Sequence, residues 1–93
     1  MSTLAQLKKE WLPDRAFRRA HDSLKPEFRV ARQLIAARNR AGLTQAQVAR
    51  RMATTQSTIA RLESGHGLPT LSSLERYAQA VGCTIQLRLL PRK

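Results

Sequence analysis

The residues with the clearest chemical potential lie between positions 44 and 63, which read TQAQVARRMATTQSTIARLE. If a helix starts near residue 56, its outer face holds Gln56, Ser57, Thr58 and Arg61, with Ser57 and Arg61 one turn apart. A glutamine amide can bond adenine at two points, and an arginine guanidinium can bond guanine at two points, in the DNA major groove. This set therefore predicts contacts to the edges of DNA bases. The alternative is a solvated helix face with no ligand, since exposed polar residues are common.

The charge distribution favours the same class of partner. The 93 residues include 17 Lys and Arg but only 6 Asp and Glu, for a formal net charge of +11. Residues 29–93 hold eleven basic residues against two acidic ones, Glu63 and Glu75. A compact domain with this excess of positive charge favours a polyanionic partner.

Other classes of protein are poorly supported by the composition. No apolar run approaches the roughly 20 residues of a membrane-spanning helix, and the first residues do not resemble a signal peptide. A single cysteine, Cys83, excludes an internal disulfide, which suits the cytoplasm. His21 and His66 lack neighbours at metal-ligand spacing, and no catalytic set of side chains is evident. We therefore expect no enzyme, no metal and no cofactor. We expect Glu63 to be structural, pairing with a basic group or a backbone N–H.

Capping residues and glycines divide residues 26–82 into four predicted helices. They are Pro26–Ala41, a helix opened by the capping box Thr44-x-x-Gln47, Gln56–Ser64 capped by Thr55, and a helix from Thr70 or Ser72 to Val81. Their predicted inward residues are Val30, Ala31, Leu34, Ile35, Ala41, Val48, Ala49, Met52, Ile59, Leu62, Leu74, Tyr77, Ala78 and Val81.

Residues 30–81 resemble the helix-turn-helix domain of the Xre/Cro family, through GLTQ at 42–45, VA at 48–49, TQS at 55–57 and IARLE-x-G at 59–65. The resemblance implies a lambda-repressor-like fold in which Gln56, Ser57, Thr58 and Arg61 read bases. It also implies phosphate contacts from the starts of the two helices and nearby arginines. The candidate phosphate-binding residues are Thr44, Gln45, Thr55, Arg40, Arg50 and Arg51. One departure is Ala53, which stands in the turn where the family usually has glycine.

The segments flanking this domain resemble HigA-type antitoxins, through PEF-x-x-A-x-x-LI-x-AR at 26–38 and LERYA-x-AVG at 74–82. Such antitoxins repress their own operon and bind a HigB-type toxin, a ribosome-dependent mRNA endonuclease. A stand-alone Xre-type repressor is the main alternative. A third hypothesis is an enzyme or RNA-processing module with an incidental helical core.

The resemblance to HigA-type antitoxins implies that residues 1–25 form a toxin-binding extension. Leu4, Leu7 and Trp11 share one helical face, and a second stripe after Pro13 includes Phe17 and Leu24. These apolar stripes exceed what a small helical core needs, and exposed apolar stripes often mark partner sites. The alternative is that both stripes pack on the DNA-binding core.

The C-terminal residues change to a period of two, with Ile85, Leu87 and Leu89 on one side. This pattern predicts a strand over Thr84–Leu90, and a lone strand needs a partner. We expect it to pair with a second copy, giving a homodimer suited to a palindromic operator; a frayed tail is the alternative. The predicted fold is thus mainly α, with five or six helices, divided into residues 1–25, 26–82 and 83–93.

Overall fold

The computed structural model describes residues 24–92, and that part of the chain is mainly α-helical. Its four helices are α1 Pro26–Arg40, α2 Gln45–Arg51, α3 Gln56–Leu62 and α4 Leu71–Ala80. The two helical stripes predicted in residues 1–25 lie outside the described residues except for Leu24, which is in a bend rather than a helix. None of the helices described is long and apolar enough to cross a bilayer.

Side-chain caps fix where three of these helices begin. The Thr44 hydroxyl accepts a hydrogen bond from the Gln47 amide N–H at 3.1 Å, and the Gln47 side chain accepts one from the Thr44 N–H at 2.8 Å. This reciprocal pair confirms the predicted capping box. Thr55 caps α3 by accepting from the Thr58 N–H at 3.2 Å, and Thr70 caps α4 in the same way. The cap of α4 is therefore the first of its two candidates.

The helices pack around one small core, with α2 against α3, and with α4 contacting both α1 and α2. Most inward residues were predicted correctly. The buried core residues are Leu34, Val48, Ala49, Met52, Ile59, Tyr77, Ala80 and Val81, with Val30, Ala37, Leu43, Leu62, Leu74 and Cys83 half-buried around them. Ala41, in contrast, is exposed, because α1 ends at Arg40 and the chain turns away.

The turn between α2 and α3 contains a strained residue. Ala53 has a φ of +54°, in the left-handed region that glycine adopts without cost. For an alanine this conformation costs about 1 kcal/mol or more. The turn therefore has the backbone conformation typical of glycine although the residue is alanine.

The C-terminal segment corrects the predicted fold in one respect. Thr84–Leu90 is not a strand in this single chain, and residues 83–92 are neither helix nor strand. A strand is defined by its hydrogen-bonded neighbour, and within residues 24–92 no other segment is extended beside it. Ile85 is half-buried, whereas Leu87 is 76% and Leu89 92% exposed.

Candidate nucleic-acid interface

The outer face of α3 presents the four predicted base-reading residues to solvent. Gln56, Ser57, Thr58 and Arg61 are all exposed, whereas Ile59 on the same helix is fully buried. Within the described residues, the side chains of Gln56, Ser57 and Arg61 make no hydrogen bond. Thr58 differs, because its hydroxyl lies 2.9 Å from that of the helix cap, Thr55. The face thus holds an amide and a guanidinium whose donors are free to bind a ligand.

The predicted phosphate-binding residues at the helix starts already make hydrogen bonds within the protein. The hydroxyls of Thr44 and Thr55 serve as N-caps. Gln45, the first residue of α2, is half-buried, and its Nε2 donates to Glu63 Oε1 at 3.1 Å. The Gln45 side chain is therefore held in place by the protein itself.

The three candidate arginines lie in different environments. Arg50 is exposed on α2, and Arg40 is exposed at the edge of a groove between α1 and α4. Arg51 lies at the opposite end of α2 from Gln45, and its Nη1 donates to the Ala80 carbonyl at 2.8 Å. It thereby satisfies the end of α4, as cationic side chains near a helix C-terminus often do.

A buried carboxylate joins all four helices. Glu63, directly after α3, has a side chain only 3% exposed. Its Oε2 lies 2.8 Å from Arg38 Nε on α1 and 2.6 Å from the Tyr77 hydroxyl on α4. Its Oε1 accepts from Arg38 Nη2 at 3.0 Å and from the Gln45 amide on α2. The prediction that Glu63 is structural and pairs with a basic group is confirmed, but sequence reasoning did not identify Arg38 as that group and missed Tyr77 and Gln45.

This network is electrostatically balanced. Burial opposes ionisation of Glu63, but hydrogen bonds from Arg38, Tyr77 and Gln45 outweigh it and hold the pKa of the carboxyl below its ordinary value. The hydrogen bond to Glu63 raises the pKa of Arg38. Burial and the adjacent carboxylate raise the pKa of Tyr77 well above its usual range. The three groups therefore persist as an ion pair and a neutral phenol at neutral pH.

An apolar groove of about 460 Å³ lies between α1, α4 and residues 83–87. Its lining includes Val30, Ala37, Leu74, Ile85 and Leu87. The groove adjoins the predicted dimer-interface residues. No group of three or more metal-ligating side chains occurs among residues 24–92.

The predicted toxin-binding residues fall mostly beyond the described part of the chain. Leu24 is half-buried just before α1. Leu4, Leu7, Trp11 and Phe17 lie outside the described residues.

Comparison with known proteins agrees with this geometry. The chain is 34% identical to antitoxin HigA1 of Mycobacterium tuberculosis strains CDC 1551 / Oshkosh and ATCC 25618 / H37Rv, over 76 residues in each case. The match covers 82% of this chain and 51% of each relative, so the chain spans about half their length. No solved structure matches at a significant level. A helix-turn-helix family model matches residues 34–87, more than half of the chain, and the protein therefore belongs to the helix-turn-helix family of the Xre/Cro type.

Proposed function

We propose that the protein is the antitoxin of a type II toxin–antitoxin pair. It binds a palindromic operator through α3 to repress its own operon, and it neutralises a HigB-type mRNA endonuclease toxin by direct contact. Family membership supports the DNA-binding part, and the similarity to antitoxin HigA1 supports the toxin-binding part.

The observation that carries the DNA-binding proposal is the unengaged polar face of α3. The side chains of Gln56, Ser57 and Arg61 are exposed and make no hydrogen bond within the described residues, so no side-chain contact need be broken before they meet a base. Ile59, on the reverse of the same helix, is fully buried and fixes which face points outward. An exposed helix face with an unengaged amide, which can both donate and accept, and an unengaged guanidinium matches the way helix-turn-helix proteins read the major groove.

Phosphate contacts then come from residues flanking this face. Thr44, Thr55 and Gln45 lie at or beside the starts of α2 and α3, while Arg40 and Arg50 add exposed charge. Arg51 contributes least, because its guanidinium already caps α4. Contacts of this kind set orientation on the duplex and carry no sequence preference of their own.

Gel-shift titration at fixed salt with the DNA upstream of the gene tests the base-reading face. Gln56→Ala or Arg61→Ala should each weaken binding by about 1–3 kcal/mol and relax preference at one base pair. The matched control is Gln79→Ala, an exposed glutamine on α4, which should bind as the wild type does. Unchanged affinity and base preference in the Gln56→Ala, Arg61→Ala double variant would refute the assignment.

The toxin-binding part rests on the apolar stripes of the N-terminal extension, with Leu4, Leu7, Trp11, Phe17 and Leu24 as contact residues. Co-expression with the neighbouring gene tests it. The full chain should co-purify with the toxin, whereas a chain starting at Lys25 should fold and bind DNA but fail to neutralise. Full neutralisation by the shortened chain, or by a Trp11→Ala, Phe17→Ala variant, would place the contact elsewhere. Absence of any toxin gene beside it would favour the stand-alone repressor.

The homodimer is proposed to form through the C-terminal segment. Leu87 and Leu89 remain exposed in the single chain, beside an apolar groove between α1 and α4. Pairing Thr84–Leu90 with a second copy satisfies its backbone groups and covers these leucines together with Ile85. Light scattering after deletion of residues 83–93 should show a monomer with weakened operator binding; an intact dimer would contradict this interface.

A further inference from the structure

Gln45 connects the candidate DNA-binding surface to the buried network around Glu63. Its side chain is half-buried, and one amide N–H is committed to Glu63 Oε1 at 3.1 Å. A glutamine amide has a second N–H and a carbonyl oxygen. With the first N–H fixed, the direction of the second is fixed as well, so the free donor does not have to be ordered when a ligand binds.

The same network also fixes the backbone just before α2. Arg38 binds both Glu63 oxygens through Nε and Nη2, and its Nη1 donates to the Leu43 carbonyl at 3.0 Å. Leu43 directly precedes the α2 cap, Thr44. The start of α2 is therefore held at two points, one on the backbone and one on the Gln45 side chain, and both lead to a single carboxylate.

We propose that Glu63 is a positioning residue for DNA binding: it orients the Gln45 amide so that the second N–H of Gln45 donates to a backbone phosphate. This inference rests on the proposed DNA-binding function. Arg38 neutralises the Glu63 charge, which lets a carboxylate lie one side chain away from a phosphate without repelling it. Glu63 touches no DNA itself and acts through Gln45.

The charge of Glu63 gives the test a distinctive sign. A structure-neutral loss of this acidic charge should strengthen binding to a polyanion, because the protein becomes more positive. If Glu63 positions the Gln45 amide, the loss of its carboxylate should instead weaken DNA binding. The carboxylate accepts from Arg38 Nε and Tyr77 through one oxygen, and from Arg38 Nη2 and Gln45 through the other. In Glu63→Gln one of these oxygens becomes an uncharged NH2 group that cannot accept, so the single remaining oxygen cannot hold Arg38, Tyr77 and Gln45 in their present positions, and the Gln45 amide loses its fixed orientation.

A double-mutant cycle on duplex binding measures the coupling. We would titrate a mixed-sequence DNA duplex of three helical turns, at fixed salt, with the wild type, Gln45→Ala, Glu63→Gln and the double variant. Circular dichroism would establish the folded fraction of each variant at the assay temperature. Each single variant should bind about tenfold to a hundredfold more weakly, the range expected for one hydrogen bond to a charged group. The double variant should bind no more weakly than Gln45→Ala.

Two further variants separate positioning from general stability. Thr70→Ala removes the α4 cap, which makes no contact with the network around Glu63. It should leave the DNA affinity of the folded protein unchanged. Gln45→Asn keeps an amide that is one methylene too short to reach both groups, so it should lose as much affinity as Gln45→Ala. This variant decides the matter if Glu63→Gln does not fold.

The outcomes distinguish the positioning role of Glu63 from DNA binding itself. Additive losses in the double variant, tighter binding by Glu63→Gln, or full affinity in Gln45→Asn would each overturn the positioning role while leaving DNA binding intact. A wild type that fails to bind duplex DNA at low salt would overturn the proposed function instead.

Discussion

Replacing the strained alanine in the helix-turn-helix should stabilise the protein. Ala53 has a φ of +54° between α2 and α3, and its methyl group is exposed, so Ala53→Gly removes strain without removing packing. The left-handed conformation costs an L-residue about 1–2 kcal/mol and glycine essentially nothing. Glycine also makes the unfolded chain more flexible, which offsets about 0.4–1 kcal/mol. The net gain in the free energy of unfolding is about 0.5–1 kcal/mol.

Thermal unfolding followed by circular dichroism measures this gain. A change of 1 kcal/mol shifts the Tm of a domain this size by about 4–8 °C, so the expected rise is about 2–8 °C. Gly42→Ala is the matched control, because Gly42 has a φ of +70° and open space around the position of a Cβ. It should lower the Tm by a similar amount. A Tm that is unchanged or lower in Ala53→Gly, with Gly42→Ala destabilised as expected, would refute the strain argument.

Three other predictions concern the fold around the site. Gly65→Ala should destabilise more than Gly42→Ala, because a Cβ there overlaps the Phe28 ring, and equal losses of Tm would contradict this. The folded-state pKa of Glu63 is lowered from 4.5, so the unfolded chain takes up a proton first as the pH falls. The free energy of unfolding should therefore drop below about pH 4.5, and it should drop less steeply in Glu63→Gln. Equal pH dependence of the two proteins in urea unfolding would count against the Arg38–Glu63 ion pair. Thr70→Ala should cost about 1 kcal/mol in urea unfolding, and no loss would argue against the cap.

Local signals in the sequence predicted most of the helical fold. The capping box at Thr44 and the cap at Thr55 depend on residues three positions apart, and the structure confirms both. Val48 and Ile59 follow helical periodicity and are fully buried. Such features are visible because each depends on neighbours within one or two turns.

Contacts between distant residues escaped the sequence reasoning. Arg38 and Tyr77 lie 25 and 14 positions from Glu63, and no periodicity links them. The charge and position of Arg51 predict a phosphate contact, and they give no sign that its guanidinium also reaches the carbonyl of Ala80, 29 residues away. A basic side chain in sequence does not indicate which acceptor it binds, because only the packing of helices decides the distance.

The C-terminal segment illustrates a different limit. The alternation of Ile85, Leu87 and Leu89 predicted a strand, yet residues 24–92 supply no strand edge with which it pairs. Period-two patterning reports which side chains share a face, and the hydrogen-bonded partner is a separate requirement. The pattern therefore remains a prediction about the assembled dimer.

Selection of DNA duplexes from a random pool tests the central claim, that α3 reads the operator, most directly. The wild type should enrich a two-fold symmetric sequence with half-sites about one helical turn apart. The Gln56→Ala, Arg61→Ala double variant should lose preference at the base pairs that α3 contacts, while keeping salt-sensitive affinity for any duplex. Enrichment of the same sequence by both proteins, or of no sequence by the wild type, would contradict the account.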